Sequence, residues 1–458
     1  MPATSFCDTV QQVRTMTADS SSREILPNQQ RPRRWFRFSL RTVLLAITIV
    51  GIVLGMFCAR YQRAARQKEI VELLTATGAT VTYDDGNVDP KNPFKHVRVP
   101  RGPEWLRQRL GSHFFDRIAG VSFYAHRVSY DPDKLATAVG RLRELPHLRD
   151  LSFAYLDNLN AEHFGLIGDL QQIESLHINK LDINDANAAQ LCRSRGLRSV
   201  TLRDVSISDT GIGKFSGLPN LKKFDLSCSS RQTTDETVKL FSRFPRLGKL
   251  FLYSTSVTNE GIQTLSTLTK LKKLTVGSLL VTGEALQHVR EMKELESIGA
   301  WGWKLEDSHV DTLSKMPSLK TVDLLCAFRD PDHCLTDQSI RVLGEMEQLT
   351  YLRVRGVGIT DNSLPLLHNM TNLKKLILDD TSVDKTSEAA TQLTQALPGC
   401  SIRYPETPEE IEIRKSFDDW KFGRRTNNPP ANPSWKVITI DQLPISKKGQ
   451  APKAAPTQ

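Results

Sequence analysis

The residues most able to do chemistry lie close together: Cys326, Asp330, Asp332, His333 and Cys334 fall within nine positions. Thiol, imidazole and carboxylate groups so spaced are the ligand types of a metal loop, and the two cysteines could also close a disulfide in an oxidising compartment. No CxxC pair accompanies them, and the remaining histidines and cysteines are scattered along the chain. A polar surface excursion with one buried cysteine is the favoured account of the cluster, so no metal is expected and the disulfide is left open. The phosphate-cradling glycine loops, GxSxG and HExxH are absent. The expectation is a non-enzymatic protein with no cofactor and no small-molecule substrate.

Charge narrows the choice of partner. The 458 residues carry a formal net charge of +10, but residues 31–68 alone hold nine Lys/Arg and no acid. Residues 69–404 are balanced, which leaves no excess for a nucleic-acid groove, so no nucleic acid is expected. The basic segment brackets an apolar run from Val43 to Ala59, 17 residues. At ~1.5 Å per residue the run spans about 26 Å, enough for a transmembrane helix once Leu40 and Tyr61 extend it. Arg33, Arg34, Trp35, Phe36, Arg37 and Phe38 precede it, where basic and aromatic residues anchor a helix at the membrane interface. The positions before Ala59 offer no small-x-small cleavage site, so an uncleaved signal anchor is expected. Five Arg in 31–41 against four Lys/Arg in 60–68 favour a cytoplasmic N-terminus and an extracytoplasmic C-terminal part.

The elements that must position any site are repeats. A hydrophobic-x-x-hydrophobic-x-x-hydrophobic-x-hydrophobic unit recurs, as in LPNLKKFDL from Leu218, LTKLKKLTV from Leu268, MPSLKTVDL from Met316 and MTNLKKLIL from Met370. Its second apolar position falls at Leu148, Ile173, Leu197, Leu221, Leu247, Leu271, Leu295, Leu319, Leu349 and Leu373, mostly 24 residues apart. The longest interval, 30 residues between Leu319 and Leu349, contains the Cys/Asp/His cluster. A second pattern follows each strand-like stretch, as in SVTNEGIQTLSTL and GITDNSLPLLHNM: Ser/Thr, an acid or amide, then an amphipathic run. Ser208, Thr258, Thr282 and Thr360 are expected to cap helix N-termini. Each unit thus reads as strand, turn and short helix, able to bury its apolar face only by stacking.

These units resemble leucine-rich repeats in their 24-residue form. The resemblance covers about 115–404 and implies an α/β solenoid of ten or eleven repeats, with parallel strands on the concave face and short helices on the convex face. Where many such repeats place Asn or Cys, this chain has Val205, Thr255, Leu279, Val357 and Thr381, so apolar packing and Thr hydroxyls are expected to hold the turn. The motif RRWFRFSLRTVLL followed by repeats also resembles bacterial membrane-anchored leucine-rich repeat proteins. This organisation divides the chain into a disordered tail at 1–30, an anchor at 31–68 with its helix near 40–61, and a juxtamembrane helix and cap at 69–114. The solenoid at 115–404 and a Pro-rich tail at 405–458 complete it. A soluble adaptor resembling the repeat part of F-box proteins is the alternative, which the anchor and the lack of a recognisable F-box disfavour.

Strand alternation sends Arg203, Asp225, Phe251, Tyr253, Thr275, Trp301, Asp323, Arg353 and Arg355 to the concave face. Of these, Phe251, Tyr253, Trp301, Asp323, Arg353 and Arg355 are the expected protein-binding residues, because aromatics and Arg dominate recognition surfaces. The function expected is a single-pass protein of the bacterial cytoplasmic membrane that acts as a recognition scaffold or receptor.

Overall fold

The computed structural model describes residues 39–84, 88–89, 92–96, 101–124, 131–156, 159–228, 233–327 and 334–406. Arg33, Arg34, Trp35, Phe36, Arg37 and Phe38 lie outside them. The chain divides into two units, Met1–Arg60 and Tyr61–Gln458. In the first, the described residues belong almost wholly to helix α1 (Leu40–Ala76), and every residue from 40 to 60 is exposed, Leu44, Leu45, Ile47, Ile52 and Val53 among them. By length and composition α1 could cross a membrane.

The second unit is a leucine-rich repeat solenoid. Its strands are β1 (Thr80–Tyr83), β2 (Val88–Asp89), β3 (Asn92–His96), β4 (Ile118–Tyr124), β5 (Asp150–Ala154), β6 (Ser175–Asn179), β7 (Ser199–Val205) and β8 (Lys223–Cys228). They continue with β9 (Lys249–Thr255), β10 (Lys273–Ser278), β11 (Ser297–Trp303), β12 (Thr321–Cys326), β13 (Tyr351–Arg355), β14 (Lys375–Asp379) and β15 (Ser401–Arg403). All except the separate β2–β3 ribbon join one 13-stranded sheet in chain order. The strands from β4 onward are parallel, and antiparallel β1 closes the first edge on β4. Ile70, Leu74 and Ala79 add to the core at that end, and Arg107 grips buried Asp116 through two hydrogen bonds of 2.9 and 3.2 Å.

The regular leucines form the expected core. From Leu148 to Leu373, each second-position residue is at most 4% exposed, so every repeat completes its neighbour's apolar shell. Helices and 3-10 turns follow the strands on the core side, and Phe215, Phe224, Phe241 and Phe244 interlock there with centroids 5.5–5.8 Å apart.

The turns follow the expectation in part: Val205 packs in the core and the Thr255 hydroxyl donates to Gly277 O of the next repeat at 3.1 Å. Val205 and Thr255 are buried, but Leu279 and Val357 are exposed and cannot supply apolar packing. The tie is a carboxylate or amide at the first helical position, bonded to the N-cap of the next repeat or to a residue within three positions of it. Asp235 accepts from Thr258 N (2.9 Å) and Thr258 Oγ1 (2.6 Å), and Asp337 accepts from the same atoms of Thr360 at 2.7 Å each. Asp185 bonds Ser208, Asp209 bonds Thr237, and Asp361 accepts from Asp384 N. Asn259 plays the same part for Thr282 in neutral form, accepting from its N–H and donating to its Oγ1. Ser208, Thr258 and Thr360 cap their helices as expected, whereas the Thr282 side chain makes no cap bond and is held by Asn259 instead. At Gly283 the pattern lapses: the His309 ring occupies the space a side chain would need, and Gly283 N bonds Lys304 O at 2.8 Å.

Asp307 is the most heavily used of these groups. It accepts from Thr336 N and Oγ1 and from Ser339 N and Oγ. Burial works against its charge, but the bonds from Ser339 and Thr336 outweigh burial and hold its carboxyl below the ordinary value. Asp307→Ala strands these donors and should destabilise the fold by about 2–3 kcal/mol. The stabilisation from a depressed carboxyl is present above the unfolded value near ~4 and is lost as pH falls through the folded value. Urea midpoints from pH 7 to pH 3 should therefore show wild type and variant converging in acid; a gap that stayed constant would contradict the assignment.

Candidate functional site

On the face of the sheet opposite the core, parallel register aligns side chains in two rows. One runs His177, Thr201, Asp225, Phe251, Thr275, Gly299, Asp323, Arg353, and the other Asn179, Arg203, Ser227, Tyr253, Gly277, Trp301, Leu325, Arg355, with the register shifting where Gly277 lies beside Tyr253. The second row alternates large and small from Arg203 to Trp301. Tyr253 and Trp301 stand two strands apart, about 9–10 Å, yet their ring centroids are 5.0 Å apart because Gly277 leaves the place between them empty.

The contact extends on both sides. The Arg203 guanidinium lies 5.5 Å from the Tyr253 centroid across Ser227, and that of Arg353 lies 5.9 Å from Trp301. Phe251 stacks at 6.5 Å from Tyr253 and receives Lys223 at 5.4 Å. Arg203, Tyr253, Trp301 and Arg353 form one stack from β7 to β13, half-buried except at exposed Arg203. Burial pushes the Tyr253 phenol up to about 12, so it stays neutral and able to donate.

Carboxylates balance the cations. Asp225, buried, pairs with Arg203 at 3.0 Å and Lys223 at 3.7 Å. Farther along, Arg353 meets Asp379 at 2.6 Å and Asp323 at 3.9 Å, and Arg403 reaches Asp379 at 2.9 Å. Arg355 turns aside to Asp380 at 2.9 Å. Burial raises the Asp323 carboxyl to about 6; Arg353 and the Trp301 indole pull the other way. That pull stops short of a hydrogen bond, since Asp323 Oδ1 and Trp301 Nε1 are both buried without a bonding partner.

Beside the stack, where chain leaves the strands, lies a cleft of about 620 Å³ lined by Asn179, Arg203, Asp204, Ser254, Leu279 and Trp301 among others. Its shape follows from backbone conformation. Asp204 (φ 50°), Ser254 (φ 53°) and Gly302 (φ 75°) are left-handed, which puts each on the same side as the residue before it rather than the opposite side. Left-handed non-glycine residues are costly, and the conformation recurs just after other strands of the array, at Tyr155, Lys180 and Asp380.

Of the expected residues, the fold brings Phe251, Tyr253, Trp301, Asp323 and Arg353 together and leaves Arg355 in a separate ion pair. Arg203 joins the group, and strand alternation had placed it on this face. Asp204, Lys223 and Leu279 are additions; the recurrence of Asp, Ser or Gly just after the strand pattern was the available signal for the first. Asp330, Asp332 and His333 lie outside the described residues. Cys326 is buried, its thiol pushed up to about 12 by burial, and donates to Arg355 O at 3.0 Å; Cys334 lies half-buried beside it. Elsewhere on the face, Ser175 Oγ meets His177 Nε2 at 2.9 Å. Among the described residues no cluster of three or more His, Cys, Asp or Glu could hold a metal ion.

No protein-family model matches the chain, and no curated protein matches it. Solved structures do. An internalin from Listeria monocytogenes aligns at 15% identity over 64% of this chain and 83% of its own, with a TM-score of 0.38. The Rad7 and Elc1 complex of yeast aligns at 17% identity over 80% of this chain and 92% of that one, with a TM-score of 0.49.

Asp323 yields a pH test whose sign is opposite to that of Asp307. A carboxyl raised to about 6 gives its full stabilisation below the unfolded value near ~4 and loses it as pH rises through the folded value. Asp323→Asn should accordingly be more stable than wild type at pH 8, by about 2 kcal/mol, with the advantage shrinking toward pH 4. Thermal melts across that range would refute the assignment if the variant were the less stable protein at pH 8.

Proposed function

We propose that this chain is a membrane-anchored, non-enzymatic recognition protein whose repeat array captures a protein partner on the open face of its sheet. The observation that carries the reading is the Arg203–Tyr253–Trp301–Arg353 stack. Aromatic and Arg side chains held rigid before binding lose little entropy on association, and such residues supply most of the energy at protein interfaces. Phe251 and Asp323 border the stack and Arg355 lies at the end of the same surface. Helix α1 serves as the anchor in the bacterial cytoplasmic membrane, because its uncovered apolar side chains are costly in water and suited to lipid. The slight Arg excess before the apolar run favours the repeats outside the cytoplasm.

Cross-linking capture from intact cells tests the reading with Tyr253→Ala combined with Trp301→Ala. Loss of the ring contact should cost about 1 kcal/mol of stability, while capture should fall at least tenfold. Capture equal to wild type by the folded double variant would reject the face as the recognition surface. Recovery of the wild-type protein in the carbonate-soluble fraction would reject the anchor.

A further inference from the structure

We infer that the cleft beside the aromatic stack receives a basic side chain, Arg or Lys, presented by the protein partner. This rests on the recognition reading above and specifies what the partner must offer. Each ring already carries a guanidinium on one face, Arg203 on Tyr253 and Arg353 on Trp301, and the two rings meet at a tilt of 43°. A ligand in the cleft therefore meets ring edges, hydroxyls and charge rather than an open stacking surface.

The charge is decisive. Arg203 lines the cleft, but its guanidinium is bonded through Nε and Nη2 to buried Asp225, at 3.4 and 3.0 Å. Asp204 also lines the cleft, is exposed, and has no ion-pair partner among the described residues. Its left-handed backbone turns it into the same space as Arg203. Around it stand the Ser254 hydroxyl, the Ser227 hydroxyl and the Asn179 amide, none committed to a side-chain hydrogen bond among those described. Thr255 and Ser278, by contrast, are spent on Gly277 O and Val257 O. The uncommitted groups are thus one acceptor-only carboxylate with two hydroxyls and an amide oxygen that can also accept, which suits a guanidinium or ammonium with several N–H donors. Leu279, 48% exposed on the cleft wall, offers an apolar surface for the methylene stem.

The test uses the full chain in detergent micelles and three capped tripeptides, Gly-Arg-Gly, the same peptide with citrulline, and Gly-Asp-Gly, titrated by calorimetry or NMR. Citrulline keeps the shape of arginine and removes the charge. The arginine peptide should bind about fivefold more tightly than the citrulline peptide, as expected for a partly exposed ion pair. Asp204→Asn should abolish that preference, and Asn accepts the left-handed conformation, so the backbone is retained. Equal binding of arginine and citrulline, tighter binding of the aspartate peptide, or an arginine preference that survives Asp204→Asn would each overturn the proposal. Loss of partner capture in the Tyr253/Trp301 double variant, with no arginine preference in wild type, would remove this assignment and leave the recognition reading standing. An arginine preference in wild type, with capture unaffected by the double variant, would do the reverse.

Discussion

A side-chain oxygen at the first helical position of one repeat, bonded to the N-cap of the next, sets how successive turns meet. Asp235 holds Thr258 by backbone and hydroxyl together, and Asp337 holds Thr360 in the same way. The bond satisfies an N–H that a helix start leaves without an internal partner, and it fixes the orientation of one unit on another. With that spacing set, the leucines behind the sheet meet in one unbroken core and the strands in front run in register. Register is what aligns residues from distant sequence positions in straight rows across the open face.

The open face then depends on small residues as much as on large ones. Tyr253 and Trp301 touch only because Gly277 separates them, and Arg203 reaches Tyr253 across Ser227. At Gly299, on the adjoining row, the Thr275 side chain takes the space a side chain would need, and the neighbouring Asp323 keeps a buried Oδ1 without a bonding partner. The strain stored in Asp204 and Ser254 has the same logic: each brings a consecutive pair of side chains to one side, where an ordinary strand would send them to opposite faces.

Much of this was legible in the chain. Ten leucine or isoleucine positions at near-constant spacing dictate the stacked strands, because a single unit has nothing else on which to bury its apolar side. The exposed rows follow from alternation, which placed Phe251, Tyr253, Trp301, Asp323 and Arg353 on one surface. The ties between repeats were harder to see. They join residues 23 or more positions apart, and the acid next to each N-cap reads locally as a favourable helix start, with no sign of its distant partner. Thr282 looked like Thr258 in sequence, yet Asn259 engages its hydroxyl. Leu279 and Val357 occupy positions associated with a buried turn and are exposed, since the tie lies at the helix start and the strand end is free to carry other residues. Asp204 escaped notice because alternation assumes extended backbone at the residue where the chain departs from it.

The tie at Asn259 and its absence at Gly283 have a joint consequence. At the helix starts, Asn259 links the β9 and β10 repeats through an amide, and Gly283 links the β10 and β11 repeats through its backbone N–H. The neighbouring junctions, through Asp235 on one side and Asp307 on the other, rely on carboxylates. At their helix starts the three strands that carry Tyr253, Gly277 and Trp301 are joined by an amide and a backbone bond, with the Trp303 indole donating to Val276 O at 2.9 Å and the surface pair Lys272–Glu296 at 3.3 Å adding to the second junction. In a one-dimensional lattice of repeats, where each unit is held by its neighbours alone, the helix-start ties of this block carry no charge and are the ones that salt leaves unscreened.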